Sequence, residues 1–260
     1  MACRSLSKCE AARKKILDQL KGSVKPNQLT CEVLNLSSLK DVKRYGESVR
    51  ASGKAIDSLI LNAGVMYPPF ELTEDGLETT WGVNHVAHFL LTQELLPVLR
   101  KSPKATIVSV SSNAHFAVDG VDDISKFNDK ETYNIVIQYG RSKLANLLFA
   151  KELSKKVEPN ILVNSLNPGG VRGDLYRNLP FGVRQFAEYL QDFVFWSEEQ
   201  SALSVIGCAW NPAVFEQHIT GKYFVPVWRE DEGSFKARNS TLGKLWYEET
   251  ETLLKQKGFL

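Results

Sequence analysis

The stretch ATIVSVSSNAHFAVDGVDDISKFNDKETYNIVIQYGRSKLANLLFAKELSKKVEPNILVNSLNPGG, residues 105–170, decides the fold. It opens on ATIVSVSS (Ala105 to Ser112), an apolar run of strand length containing β-branched residues. It closes on ILVNSLN (Ile161 to Asn167), a second such run ended by Pro168-Gly169-Gly170. Between them a polar, irregular segment, Asn113 to Thr132, gives way to a helical pattern from about Tyr133 to Val157. Strands separated by a helix of that length cannot form a hairpin. They need a crossover, which makes them parallel members of a sheet covered by helices. Runs this apolar suit strands buried on both faces.

The same alternation extends outward. LTCEVLNL (Leu29 to Leu36), IDSLILN (Ile56 to Asn62, closed by Ala63-Gly64) and KYFVPV (Lys222 to Val227) read as further strands. Helical spacing covers Ser7 to Leu20, stopped by Gly22, then Ser38 to Gly53, Leu77 to Leu99 and Thr241 to Lys257. Ser197-Glu-Glu-Gln200 is a capping-box signature that opens another helix. The pattern predicts an α/β, doubly wound, mostly parallel sheet with helices on both faces. Without repeat, linker or low-complexity tract, residues 1–260 read as one domain.

Composition narrows the function classes. Net charge is +2 with acids and bases interspersed, so nucleic acid is not an expected partner. The four cysteines, Cys3, Cys9, Cys31 and Cys208, include no C-x-x-C pair and no histidine at metal spacing. No metal site is expected, and reduced thiols in a cytosol-like compartment are the plainer reading. No apolar run reaches the roughly 18 residues of a membrane span, and the start has no signal-peptide core. The expectation is a soluble, cytoplasmic protein.

In a doubly wound sheet, ligands bind beyond the carboxyl ends of the strands. Those ends are Asn35-Leu36, Asn62-Ala63-Gly64, Ser111-Ser112 and Asn167-Pro168-Gly169. Each is also what any strand needs in order to turn, so singly none identifies a site. Tyr139 and Lys143, four apart, share a helix face. A phenol titrates near 10, and an adjacent ammonium favours phenolate, making tyrosine a usable acid or base. Of 8 tyrosines only Tyr139 has lysine at the fourth position.

With ACR (Ala2 to Arg4), LNAG (Leu61 to Gly64), GLETTWGVNH through Asn84, VSVSS ending at Ser112, YGRSKLANLLFAKEL from Tyr139 and NPGGV from Asn167 in order, the sequence resembles the short-chain dehydrogenase/reductase family. It is most similar to the retinol-dehydrogenase-like and WW-domain-oxidoreductase-like branch. The resemblance implies a Rossmann-like fold and hydride transfer between NADP(H), less so NAD(H), and an apolar carbonyl or alcohol. Tyr139 would donate the proton, Lys143 would lower its pKa and touch the nicotinamide ribose, and Ser112 would bond the substrate carbonyl. Asn84 would hold a water linking Lys143 to solvent. Asn62, Ala63 and Gly64 would border the adenosine side, with Asn35 and Leu36 at the adenine, and Pro168, Gly169 and Val171 the nicotinamide end. Arg4 would pair with a 2′-phosphate. Residues 174–200 would be a substrate lid, its Tyr176, Phe181, Phe186, Tyr189, Phe193, Phe195 and Trp196 lining an apolar pocket.

Three departures stand against that pattern. The family has Asp-Leu where this sequence has Asn35-Leu36, and often threonine where it has Gly173. The family also opens with a strand, a TGxxxGxG turn, a helix and a second strand before ACR. This sequence starts at ACR and has no glycine before Gly22, so a β-α-β unit of roughly 30 residues is expected to be lacking. On that expectation Leu29 to Leu36 has no neighbour, unless it slides over to pair with the Leu59 to Asn62 strand. Otherwise that strand is an exposed edge, and the pyrophosphate loses its glycine turn and helix N-terminus. The 260-residue chain would then neither bind cofactor tightly nor form a robust monomer. The alternative function is an inactive, N-terminally truncated relative serving as an interaction module. A homo-oligomer stays open.

Overall fold

The computed structural model describes residues 1–118, 120, 123–171 and 196–260. Five strands form one sheet: β3 (Ser58–Leu61), β4 (Ala105–Val110), β5 (Ile161–Leu166), β6 (Tyr223–Val225) and β7 (Arg229–Asp231), in that spatial order. β3 to β6 are mutually parallel and β7 returns antiparallel. Every residue of β4 and β5 is buried, which is why their sequences are apolar with few interruptions. The period of two assigns the faces. Ala105 and Ile107 of β4 join the core built on α4 (Ala87–Leu99), α5 (Ile135–Leu153) and α8 (Ser240–Gln256), while Val108 and Val110 meet α6 (Glu198–Trp210) on the other side. Helices cover both faces, and a short α7 (Pro212–Glu216) follows α6.

Polar residues of β4 fix the helices in place. Thr106 Oγ1 donates to the Ala209 carbonyl of α6 at 3.1 Å, and Ser109 Oγ to the Asn146 carbonyl of α5 at 3.1 Å. Side chains at the helix starts accept the otherwise unmet backbone N–H groups: Ser38 for α2 (Leu39–Ala51), Asn134 for α5, Ser197 for α6 and Asn239 for α8. Trp81, His85, Phe89, Phe127, Phe149, Trp246 and Tyr247 interlock edge-on or tilted. Such pairs each add about 0.5–1.5 kcal/mol beyond burial, and Phe149 of α5 stacks on Tyr247 of α8 at 6.0 Å between centroids.

Several boundaries differ from the sequence expectation. The Leu29 to Leu36 strand contracts to β2 (Glu32–Val33), and it has a neighbour after all. It pairs in parallel with β1 (Ala2–Cys3), the two forming a separate small sheet, and does not slide over to β3. α1 (Leu6–Gln19) connects them. The Leu77 to Leu99 helix is interrupted: α3 (Thr79–Trp81) widens into a π turn at Gly82–Val86 before α4. Among its described residues, the Asn113 to Thr132 segment contains two short 3-10 turns, Asn113–Ala117 and Ile124–Asn128. The Lys222 to Val227 strand ends at Val225, and Val227 and Trp228 turn with positive φ into β7. The expectation of four reduced thiols is corrected: Cys9 and Cys31 are disulfide-bonded, because β1–β2 pairing brings α1 beside the start of β2. Cys3 and Cys208 remain thiols. Among the described residues no helix is long and apolar enough to cross a membrane.

Candidate active site

A cavity of about 950 Å³ opens at the carboxyl ends of β3, β4 and β5, where the crossover topology places ligands. Arg4 from the end of β1, Asn62, Ala63 and Gly64 after β3, Ser112 after β4, Tyr139 and Lys143 from α5, and Pro168, Gly169 and Val171 after β5 all line it. These residues are far apart in sequence, and the strand ends gather them.

α5 supplies the reactive pair. Tyr139 is buried, with its ring edge-on to Tyr67 at 5.5 Å between centroids. The Lys143 Nζ lies 5.7 Å from the centre of the Tyr139 ring and donates to the Val110 carbonyl at 3.1 Å. Burial pulls Lys143 down to about 8, since the ammonium is poorly solvated there. The Ser111 hydroxyl donates to the Lys143 carbonyl at 2.6 Å, tying this part of α5 to the end of β4.

Two glycines permit the close packing. A Cβ on Gly140 would stand 2.6 Å from the Ala114 carbonyl oxygen, so glycine there lets the turn that carries Ser112 reach α5. A Cβ on Gly64 would lie 3.1 Å from Asn84 Oδ1 and 3.6 Å from Lys143 Nζ. Asn84 sits in the π turn, fully buried, and its amide clamps the loop after β3. Oδ1 accepts from Val65 N–H at 2.8 Å, while Nδ2 donates to the Val65 carbonyl at 2.9 Å and to Ser142 Oγ at 3.0 Å. Asn84 therefore backs the wall of the cavity without lining it.

Ser112 caps its own turn, its Oγ accepting from Ala114 N–H at 3.2 Å. Asn113 and Asn167 join the loops after β4 and β5 through a 2.8 Å amide–amide bond. Asn35 and Leu36 do not line the cavity. Asn35 Oδ1 accepts from Ser37 N–H at 3.1 Å in a local turn, and Leu36 packs against the core. Glu198, within the expected 174–200 lid, lines the cavity, but the sequence reading missed the rest of the α6 wall, Ser201, Ala202, Val205, Ile206 and Trp210, as well as Met66. Its capping box located α6, but nothing local says that one helix face meets a cavity. Residues 172–195, with Arg172, Gly173, most of the expected 174–200 lid and its aromatics up to Phe195, lie outside the described residues. Among the described residues there is no cluster of three potential metal ligands.

The residues fit a nicotinamide cofactor at the ends they supply. Tyr139, Lys143, Gly169 and Arg4 all line the cavity, Gly169 with a φ of +85° that glycine adopts without strain and Arg4 with a guanidinium. The glycines that line the cavity among the described residues are Gly64, Gly169 and Gly170, so none of them forms a glycine-rich phosphate turn.

The fold and this strand-end cavity define a dinucleotide-type, doubly wound α/β domain. The chain belongs to the short chain dehydrogenase family, whose model matches residues 2–180. It is 37% identical to human retinol dehydrogenase 13 over 86% of this chain and 67% of the relative, and 35% identical to mouse retinol dehydrogenase 14 over 95% and 75%. Among solved structures, the NADPH-bound carbonyl reductase from chicken fatty liver superposes with a TM-score of 0.62 at 21% identity, covering 88% of this chain and 85% of that one, a likeness of fold.

Proposed function

We propose that the chain is an NADP(H)-dependent oxidoreductase acting on an apolar carbonyl or its alcohol. The observation that carries this reading is the convergence of Ser112, Tyr139 and Lys143 on one cavity, with the Lys143 ammonium against the Tyr139 ring. The cofactor, when bound, supplies the hydride. Ser112 orients the substrate carbonyl through its hydroxyl. Tyr139 donates its phenolic proton to the carbonyl oxygen, and Lys143 stabilises the phenolate left behind. Asn84 keeps the loop after β3 seated beside Lys143, and Gly64 leaves room for both. Pro168, Gly169 and Val171 would border the nicotinamide, with Asn62, Ala63 and Gly64 nearer the adenosine. Arg4, exposed at the end of β1, would meet a 2′-phosphate. The names of the similar retinol dehydrogenases, the NADPH in the carbonyl reductase and the apolar α6 wall support this choice of substrate and cofactor. Residues 1–260 act as one domain in this reading, with 174–200 as its lid.

The test is a fluorescence titration of the chain with NADPH and NADH, followed by NADPH-dependent reduction of all-trans-retinal. Tyr139→Phe should bind NADPH unchanged and lose about 10²–10⁴-fold in kcat. Arg4→Ala should weaken NADPH and spare NADH. Absence of both binding and turnover would sink the enzyme reading in favour of an interaction module.

A further inference from the structure

We propose that His115 is a positioning residue that sets where Ser112 presents its hydroxyl to the cavity, acting as a neutral ring bridging the Ser112 carbonyl and the Ser234 amide. This rests on the reading of Ser112 as the hydroxyl that binds the substrate carbonyl.

The geometry assigns the ring's proton. A backbone N–H can only donate, and Ser234 N–H donates to His115 Nε2 at 3.0 Å. Nε2 therefore carries the lone pair, and in a neutral imidazole the proton sits on Nδ1. Nδ1 lies 2.6 Å from the Ser112 carbonyl oxygen and donates to it. The ring is 1% exposed and stands edge-on to Tyr223, 5.4 Å between centroids at 86°. Gly233, at a φ of +77°, turns the chain so that Ser234 reaches the ring, and a Cβ there would lie 3.2 Å from Nε2. Burial holds His115 below the ordinary histidine value; the Ser112 carbonyl and Asp231 pull it back, and Lys151 adds to the lowering.

Ser112 is thus held on separate sides. Gly140 lets its turn touch α5, Asn113 ties it to the loop after β5, and His115 reaches 119 residues along the chain to Ser234. The Ser112 carbonyl also accepts the His115 backbone N–H at 3.1 Å within the turn, and the ring bond ties that same carbonyl to the distant Ser234, which bears on the direction from which Oγ leaves the backbone.

The experiment uses the full chain. In long-range ¹H–¹⁵N spectra of the histidine rings at pH 7, His115 should be protonated on Nδ1 and bare on Nε2; the reverse tautomer overturns the proposal. His115→Asn keeps a donor at the δ position and should leave the Ser112 and Asn113 amide resonances near their wild-type positions. His115→Gln moves the amide to the ε position, where it can meet the Ser234 N–H but has no donor at the δ position for the Ser112 carbonyl, and should shift them. In retinal reduction with NADPH, the Gln variant should lose about tenfold in kcat/KM for retinal with an unchanged KM for NADPH, and the Asn variant should stay within about threefold of wild type. Equal spectra or equal kinetics for the two variants would overturn the proposal. Ser112→Ala separates the two claims. If it leaves retinal kinetics unchanged, the functional reading falls and the clamp's service to the reaction falls with it. A reversed tautomer beside a crippled Ser112→Ala removes only the clamp.

Discussion

A methyl group at Gly140 would meet the Ala114 carbonyl oxygen at 2.6 Å, and that neighbour is backbone, which cannot swing away. Two effects oppose one another at this position. Alanine in place of a mid-helix glycine gains about 1 kcal/mol of helix propensity, whereas overpacking against fixed backbone costs about 1–3 kcal/mol. Overpacking wins, and the turn carrying Ser112 is pushed away from α5. Gly140→Ala is therefore expected to lower stability by up to about 2 kcal/mol in urea unfolding and to reduce carbonyl turnover more than NADPH binding. Lys143 yields a prediction of a different kind. Burial lowers it to about 8, so its charge is present below that pH and lost above it. Carbonyl reduction needs the ammonium to support the departing phenolic proton. Rates should fall about tenfold per pH unit above about 8, and Lys143→Arg, which stays charged, should carry the plateau to higher pH. A plateau unmoved by that change would show that Lys143 is not the titrating group.

At the scale of elements, the long helix that precedes β4 is held at its start by one side chain. Glu78 is fully buried, and its carboxylate accepts from Thr80 N–H and Trp81 N–H at 2.9 Å each and from Gln138 Nε2 at 2.8 Å. It caps α3 and fixes the residue beside Tyr139 in the same step. Glu78→Ala would strand three buried donors, at a cost of about 2–4 kcal/mol. A Tm drop of about 5–15 °C by calorimetry is the expected result, with Glu78→Gln falling between the two. A change under about 2 °C would show that other acceptors serve those groups. How far such elements were legible follows from their physics. β4 and β5 were legible because burial on both faces demands apolar residues throughout, and Tyr139–Lys143 because a helix converts spacing four into contact. β1 and β7, at two and three residues, are too short to carry a period. The π turn has no pattern of its own, since it shifts the helix phase by one residue only. The Cys9–Cys31 bond and the His115–Ser234 contact depend on long-range pairing that no local window records.

For the molecule as a whole, the most telling choice is to bury histidines uncharged. Of four histidines, His85, His88 and His115 are buried. His85 bridges Asn146 Oδ1 and Thr250 Oγ1, joining the π turn to α5 and α8, and burial lowers it to about 4 despite the Asn146 bond that opposes the shift. His88, one turn further on, is lowered to about 3 by burial, with Lys143 and His85 adding to the effect. Both folded values lie below the ordinary 6.5, so the unfolded chain binds protons first as pH falls. The stability these residues contribute is complete above pH 6.5 and is lost as pH drops toward 4 and then 3. For His85 the full loss is about 3 kcal/mol. Carboxylates titrate mostly near 4, so between pH 6.5 and 5 the histidines govern the slope. Urea unfolding at pH 7, 6, 5.5 and 5 should show stability falling by about 1.4 kcal/mol per pH unit for each buried histidine that stays neutral in the fold. His88→Gln should remove one such contribution and flatten the acid limb, whatever it does at pH 7. A limb equally steep in the variant, or a wild-type stability flat down to pH 5, would mean that the folded protein accepts these protons. The core around the π turn would then have to open to solvent in mild acid, taking the wall behind Lys143 with it.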